Sequence, residues 1–197
     1  MRVATAITLE VVFAIAAFGV RSVVQWRRTG STGYVLPRRD APLVELVGAG
    51  LFVAAIVGLA VAPASGVDLW GQAPIGVAGG VLAAGGILLC LLAQLGMGDS
   101  WRIGVDESEQ TDLVTGGLFA SVRNPIFTSM LVATVGFVLL VPNVWSIGSF
   151  VALVVGLELQ VRFVEEPYLQ DTHGAEYLRY AQRAGRFLPG VGRLVAR

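Results

Sequence analysis

One stretch decides how this chain is organised: Leu113-Val-Thr-Gly-Gly-Leu-Phe-Ala-Ser-Val-Arg-Asn-Pro-Ile-Phe127. It begins as a polar, glycine-containing segment and runs through Arg123-Asn124-Pro125 directly into an apolar run. A helix that begins in this way at a membrane surface leaves its first backbone N–H groups unpaired and facing water. Such a terminus favours an anionic group. We expect the charged segment from Arg162 to Pro189 to fold back over it.

The composition is that of an integral membrane protein. Hydrophobic residues make up 55% of the 197 residues and charged residues 14%, and the mean hydropathy is +0.72. Such values exceed those of water-soluble domains. The single cysteine, Cys90, lies in an apolar run and has no partner for a disulfide or a metal site. The composition indicates neither a metal nor a nucleic-acid partner, and the use of arginine for all fourteen basic residues hints at a bacterial source.

Five apolar runs are each predicted to cross the membrane as a helix. A helix rises 1.5 Å per residue, so about 20 residues cross a hydrocarbon layer of roughly 30 Å. A cleaved signal peptide is the alternative for the first run. In a signal peptide the basic residues precede the apolar residues, whereas in this chain the arginines follow them. The predicted fold is therefore an all-α, polytopic bundle of five transmembrane helices with a C-terminal cytoplasmic helical tail. The runs cover residues 3–24, 43–62, 74–95, 126–141 and 145–164.

Small residues recur every four positions in the second and third runs. Small residues at this spacing allow helix backbones to approach closely in lipid. We therefore expect these two helices to form a packed hairpin, and the short turn at Pro142-Asn143 to pair the last two. The two series are Gly50, Ala54, Gly58 and Ala62, and Gly76, Gly80 and Ala84.

The distribution of arginine predicts the orientation in the membrane. With five spans, the loops 21–42 and 96–125 and the tail from 162 hold thirteen of the fourteen arginines, and only Arg2 lies on the other side. By the positive-inside rule these loops are cytoplasmic. The N-terminus is then outside and the C-terminus cytoplasmic, in a bacterial plasma membrane. The charged residues of the two loops include Arg27, Arg28, Arg38 and Arg39, and Asp99, Arg102, Asp106, Glu107, Glu109 and Asp112.

A charged stripe crosses the end of the fifth run. Glu158, Arg162 and Glu166 are spaced by four, and Glu165 lies three beyond Arg162, so all four are predicted to share one helical face. Charges at membrane depth are costly unless they line a cavity within the protein. We therefore expect this stripe to line a cavity.

The segment after the stripe fits a short amphipathic helix at the membrane surface. Tyr177 and Tyr180 lie one turn apart, and Arg179 and Arg183 are four apart. His173 is the only histidine, so it does not indicate a metal site.

Together, these segments resemble the isoprenylcysteine carboxyl methyltransferase family of integral membrane methyltransferases, which is related to the phospholipid methyltransferases. The resemblance covers about the C-terminal half of the chain. The family usually has histidine where Asn124 stands and tyrosine where Phe127 stands. The matching segments are Leu113-Val114-Thr115-x-Gly117-Leu118-Phe119-x-x-x-Arg123-Asn124-Pro125-x-Phe127, Arg162-x-x-x-Glu165-Glu166-x-x-Leu169, His173-Gly174-x-Glu176-Tyr177-x-x-Tyr180-x-x-Arg183 and Pro189.

The resemblance implies S-adenosylmethionine as methyl donor, with S-adenosylhomocysteine as product, and a lipophilic or membrane-lipid acceptor that is a carboxylate, a thiol or an amine. It implies one domain, in which residues 1–95 are a three-helix scaffold and residues 96–197 bind the cofactor under the folded-back tail. It implies catalytic roles for Glu165, Glu166 and Arg183. The implied cofactor-binding residues are Val114, Gly117, Leu118, Arg123, Asn124, Pro125, Phe127, His173, Tyr177, Arg186, Phe187 and Pro189.

The chemistry of the residues agrees with such a donor. Glu165 or Glu166 suits its cationic groups, and the Arg123-Asn124 terminus suits its carboxylate. Its adenine ring needs an apolar slot, which Phe119, Phe127, Tyr177 or Phe187 is expected to supply. Methyl transfer needs no metal, because holding donor and nucleophile in line is the main task of the protein. Arg183 would pair with a carboxylate acceptor, whereas a glutamate would accept the proton of a thiol or an amine.

Two other functions fit parts of the sequence. The NADPH-dependent sterol reductases carry an arginine and a proline at the start of a C-terminal helix, but they are generally much longer. A non-enzymatic membrane protein would use its cytoplasmic arginines to bind anionic lipid. Such a protein has no evident use for a charged stripe at membrane depth.

Overall fold

The structure of the protein, a computed structural model, describes residues 1–35, 41–66, 69–70, 72–104 and 112–194. Several charged residues of the loops and the tail that are predicted to be cytoplasmic lie outside these ranges. They are Arg38, Arg39, Asp106, Glu107, Glu109 and Arg197.

The described residues form an all-helical protein, as predicted. Two π-helical segments interrupt the helices: Ala14–Val20 lies within α1, and Val161–Glu165 joins α5 to α6. No strand occurs in the described ranges, where only two isolated bridges join Tyr34 to Ile103 and Val122 to Gly185. The helices are α1 (Arg2–Thr29), α2 (Leu43–Val61), α3 (Ala73–Gly96), α4 (Pro125–Leu140), α5 (Val144–Gln160) and α6 (Glu166–Arg183).

Four helices in the described part of the chain are long and apolar enough to cross a membrane. The fifth predicted span, α4, has 16 residues and is about 24 Å long, so it falls short of the roughly 30 Å of a hydrocarbon layer. The four long helices agree with an integral membrane protein. They are Arg2–Thr29, Leu43–Ala64, Ala73–Gly96 and Val144–Arg183.

The predicted turn between the last two spans has a clear local cause. The Asn143 side chain accepts hydrogen bonds from the backbone N–H groups of Trp145 and Ser146, each at 3.0 Å. The Ser146 hydroxyl in turn accepts one from the Asn143 N–H at 3.1 Å. This capping box satisfies orphan donors at the first turn of α5 and sets where the helix begins.

The predicted hairpin of the second and third spans is wrong. Instead, α2 packs on α5 and α3 packs on α4. A Cβ built at Gly48 of α2 would lie 3.3 Å from the Gly156 carbonyl of α5, and one at Gly79 of α3 would lie 2.8 Å from the Gly136 carbonyl of α4. The small residues therefore do allow close approach, but of α2 to α5 and of α3 to α4.

The register of the small residues also differs from the predicted one. In α3 the buried small residues alternate at three and four positions, and Ala84 of the predicted series is exposed. A strict spacing of four drifts around a helix of 3.6 residues per turn, whereas alternation of three and four stays on one side. The buried small residues of this seam are Gly76, Gly79, Ala83, Gly86, Cys90 and Ala93.

The core forms three clusters along the bundle. One, at the end that holds the N-terminus, includes Ala6, Ala62 and Leu140. A second, in the middle, includes Ala17, Ala55, Cys90, Met130 and Leu157. The third lies in the C-terminal segment, residues 175–194, and is formed by Tyr177, Tyr180, Ala181 and Ala184. The candidate site lies between the second and third clusters.

Candidate active site

The C-terminal segment is hydrogen-bonded to the residues that precede α4. The Arg123 N–H donates to the Gly185 carbonyl at 2.7 Å, and the Gly185 N–H donates to the Ser121 carbonyl at 3.1 Å. The Asn124 N–H and the Asn124 side-chain amide both donate to the Arg186 carbonyl. These backbone donors are therefore occupied by the protein itself.

The Arg123 side chain is buried and holds this arrangement together. Its guanidinium donates to the carbonyls of Ala181 at 3.1 Å, Ala184 at 2.7 Å and Gly192 at 3.1 Å. It also forms an ion pair with Glu166 at 2.5 Å. Arg123 is only 6% exposed, and its two terminal nitrogens are engaged in these bonds, so much of its hydrogen-bonding capacity is used within the protein.

Glu166 receives a second cation from the C-terminal segment. The Arg186 guanidinium donates through Nε and Nη2 to the two carboxylate oxygens, each at 2.8 Å. The hydrogen bonds to Glu166 raise the pKa of Arg186 above its ordinary value, so this guanidinium stays charged. Both carboxylate oxygens of Glu166 are thus held by arginines. Glu166, at the start of α6, links Arg123 before α4 to Arg186 after α6.

The predicted charged stripe runs through the π-helical segment Val161–Glu165, which contains Arg162 and Glu165. Glu158 and Arg162 form an ion pair on a partly exposed surface and lie outside the cavity wall. Glu165 and Glu166 both lie in the wall. A π turn inserts an additional residue relative to an α turn, so the residues after it are rotated about the helix axis. Only the C-terminal end of the stripe therefore lines a cavity.

The tyrosines expected at the membrane surface are buried. Tyr177 is 1% exposed and Tyr180 is 5% exposed, and the Tyr180 hydroxyl donates to the Phe119 carbonyl at 2.8 Å. The helix reaches this position through a kink at Gly174, where φ is +52°. Glycine tolerates this conformation at little cost. The pair therefore packs the C-terminal segment onto the residues before α4.

A cavity of about 420 Å³ lies at the end of the bundle that holds the loop after α3, the start of α4 and the start of α6. Its size falls within the roughly 300–1,000 Å³ of small-molecule sites. Of the residues predicted for the site, those in the cavity wall are Val114, Arg123, Asn124, Pro125, Phe127, Glu165, Glu166 and Tyr177.

The other predicted site residues lie outside this wall. Arg183 is exposed, and its Nε donates to the Arg179 carbonyl at 3.3 Å. Phe187 packs on the middle core cluster, and its carbonyl accepts from Thr128 at 2.7 Å. Arg186 is not in the wall, but it forms an ion pair with Glu166, which is. Gly117, Leu118 and Pro189 are exposed, and His173 is half-buried on α6.

The cavity wall also contains residues that sequence reasoning missed, many of them from residues 1–104. The loop after α3 contributes Trp101, which is 1% exposed. Arg21 of α1 holds this loop: it donates to the Gly98 carbonyl at 2.5 Å and lies 4.6 Å from the Trp101 ring centre. Arg102 donates to the Tyr168 hydroxyl at 3.0 Å. One face of α2, which includes Glu45 and Phe52, also lines the cavity. The helical spacing of these residues is the one signal by which the sequence could have shown this face.

The fold and the site define an integral membrane protein whose helices enclose a cavity lined by carboxylates and aromatic rings. A model of the phospholipid methyltransferase family matches residues 75–176, which is just over half of the chain. The chain therefore belongs to the phospholipid methyltransferase family. This confirms the resemblance to integral membrane methyltransferases. A search of the curated proteins found no match.

Proposed function

We propose that this protein transfers a methyl group from S-adenosylmethionine to a lipophilic acceptor at the end of the bundle that holds the cavity. The observation that carries the proposal is the cavity itself, because the start of α4, the π-helical segment and α6 all contribute to its wall. The donor supplies a methyl group on a sulfonium, which a nucleophile displaces directly. Residues of the chain need only bind and align the two reactants.

The residues of the wall fit such a donor. Phe119, Phe127 and Tyr177 offer aromatic faces, and Glu165 offers a carboxylate for cationic groups. The carboxamide oxygen of Gln94, also in the wall, is buried and has no hydrogen-bond partner within the described residues. Buried polar atoms are normally paired, so a ligand with N–H groups suits this position.

The two adjacent glutamates have different roles in this proposal. Glu165 lies in the wall and binds a cationic group of the donor, or accepts the proton of a thiol or amine acceptor. Glu166, whose oxygens both face arginines, positions the C-terminal segment instead. The proposal leaves Arg183 without a role in orienting the acceptor, because its exposed side chain lies outside the wall.

The proposal places the cavity on the cytoplasmic side of a bacterial plasma membrane. The cavity wall includes Arg102 and Arg123, which belong to the arginine-rich side. The positive-inside rule assigns that side to the cytoplasm, where the methyl donor is expected.

Ligand-induced stabilisation tests the proposal. The detergent-solubilised protein is heated with S-adenosylhomocysteine, with NADPH and with neither, and the melting temperatures are compared. A ligand at a hundred times its dissociation constant stabilises the folded state by about 2.7 kcal/mol. We expect this stabilisation with S-adenosylhomocysteine and not with NADPH. Stabilisation by NADPH alone would favour a reductase, and no shift with either ligand would favour a non-enzymatic lipid-binding protein.

A further inference from the structure

The last turns of α1 carry two polar side chains that are buried although the cavity wall does not contain them. Arg21 is 5% exposed and Gln25 is 4% exposed. The Arg21 guanidinium donates to the Gln25 side-chain oxygen at 3.0 Å and to the Gly98 carbonyl at 2.5 Å. Neither acceptor is charged, and Arg21 forms no ion pair with a carboxylate of the described residues. Burying a charge without an opposite one is costly, so stability alone does not explain this guanidinium.

Arg21 and Gln25 together hold the loop that follows α3. The Gln25 side-chain amide donates to the Asp99 carbonyl at 2.7 Å, next to the Gly98 carbonyl that Arg21 holds. The Arg21 guanidinium also lies 4.6 Å from the centre of the Trp101 ring, which is within the distance of a cation–π contact. Three consecutive points of the loop, two carbonyls and one aromatic ring, are therefore held from α1.

Trp101 is buried outside the hydrophobic core. It is 1% exposed, yet none of the three core clusters in the described ranges contains it. A Cβ built at Gly33 would lie 2.8 Å from the Trp101 ring, so the backbone of that loop lies close to the indole. The Ile103 N–H then donates to the Gly33 carbonyl at 2.7 Å. The position of Trp101 therefore depends on Arg21 and on backbone contacts, and loss of the guanidinium would weaken it.

The loop that these contacts hold is a continuous part of the cavity wall. Residues 100–104 all lie in the wall. Among them, Arg102 donates to the Tyr168 hydroxyl at 3.0 Å. Tyr168 lies in the first turn of α6, three residues after Glu165, to which the proposed function assigns a cationic group of the donor. The contacts of Arg21 thus extend through the loop to the donor side of the cavity.

We propose that Arg21 is a positioning residue for the methyl donor. With Gln25 it holds Trp101 and the loop after α3 in the cavity wall, so that the wall is in place before the donor binds. A preorganised site binds more tightly because less freedom is lost on binding. The inference rests on the proposed methyl transfer and adds to it a residue that does not touch the ligand. Arg21 lies outside residues 75–176, which match the family model.

A matched pair of substitutions tests this role. Arg27 is an exposed arginine in the last turn of the same helix, so Arg27→Met removes the same charge as Arg21→Met without touching the loop after α3. Binding of labelled S-adenosylhomocysteine is measured on the detergent-solubilised proteins. We expect Arg21→Met to raise the Kd about tenfold and Arg27→Met to leave it within about twofold. Equal Kd values in the wild type and both variants would overturn the proposal.

Kinetics in membranes distinguish positioning from a direct part in the reaction. The KM for the donor should rise in Arg21→Met, whereas the rate at saturating donor should stay within about twofold of the wild type, because only binding is weakened. A fall in that rate with an unchanged KM would contradict the proposal. Gln25→Leu is a milder variant that loses one carbonyl contact. Should Arg21→Met fail to fold, an unchanged Kd in Gln25→Leu would overturn the proposal in its place.

A double-mutant cycle tests whether Arg21 acts through Trp101. Trp101→Leu removes the ring that the guanidinium contacts. If the two residues act as a unit, the double variant should bind S-adenosylhomocysteine within about twofold of the weaker single variant. Losses that multiply in the double variant would show that Arg21 acts by another route, against the proposal. A wild type that does not bind S-adenosylhomocysteine would contradict the proposed function itself, and this inference with it.

Discussion

Glu165 and Glu166 are neighbours in the sequence with different surroundings. Glu166 lies between two guanidiniums, and its side chain is 13% exposed. Glu165 is the last residue of the π-helical segment and belongs to the cavity wall. Removing one partner of a buried ion pair is costly, because it leaves the other charge without compensation. The two glutamates should therefore respond differently to loss of charge.

We expect Glu166→Gln to lower the free energy of unfolding by about 3 kcal/mol, since it removes the charge that Arg123 and Arg186 share. Glu165→Gln should keep the stability of the wild type but lose turnover. Thermal unfolding in detergent and methyl transfer from labelled donor measure the two effects. A stable Glu166→Gln protein, or an active Glu165→Gln protein, would contradict these roles.

At the scale of helices, α3 and α4 pack closely because the glycines in their contact carry no side chain. A Cβ at Gly86 would lie 2.5 Å from the backbone nitrogen of Ala133 and 2.8 Å from the Ser129 carbonyl. These atoms are backbone and cannot rotate away, so the two helices would have to separate. A Cβ at the adjacent Gly85 meets nothing within 4 Å.

The substitutions Gly86→Ala and Gly85→Ala therefore form a pair with opposite expected effects. Gly86→Ala should destabilise the protein by about 1–3 kcal/mol through overpacking. Gly85→Ala should be neutral or stabilise by up to about 1 kcal/mol, because alanine favours the helix more than glycine does. Unfolding in a denaturing detergent series measures both. Equal stabilities would show that the seam tolerates a methyl group at Gly86.

At the scale of the whole molecule, the helices form two close pairs that both contribute to the cavity wall. The pairs are α2 with α5 and α3 with α4; α1 packs on α3 and α4, and contacts between α4 and α5 join the two pairs. The arginine-rich loops and the C-terminal segment lie at the cavity end. The end that holds the N-terminus is closed by small apolar residues. The orientation of this bundle determines from which aqueous compartment a ligand reaches the cavity.

Cysteine labelling tests the orientation. Gln72 and Thr115 are exposed and lie at opposite ends of the bundle, and the native Cys90 is buried and should not react. In intact cells, a membrane-impermeant maleimide should label Gln72→Cys at once. It should label Thr115→Cys only after permeabilisation, because the positive-inside rule places that loop in the cytoplasm. The reverse pattern would place the N-terminus in the cytoplasm.

The sequence by itself determined the helical class, the approximate bounds of the apolar helices and the membrane methyltransferase family. Hydropathy, a proline at the first helical position and an asparagine cap act within a few residues, so they can be read from local sequence. The Arg-Asn-Pro segment and the carboxylates at 165–166 were also recognised in this way.

Only the tertiary structure decided which helices pair and which side chains line the cavity. The pattern of small residues shows that α2 and α3 each pack closely on another helix. It does not identify that helix, because the same glycines fit any smooth helix surface. Arg123, which the sequence assigns to the cofactor site, also binds carbonyls of residues 181, 184 and 192, and no local pattern shows these contacts because the residues are distant in sequence. The face of α2 in the cavity was missed because hydropathy does not distinguish residues that line an apolar cavity from residues that face lipid.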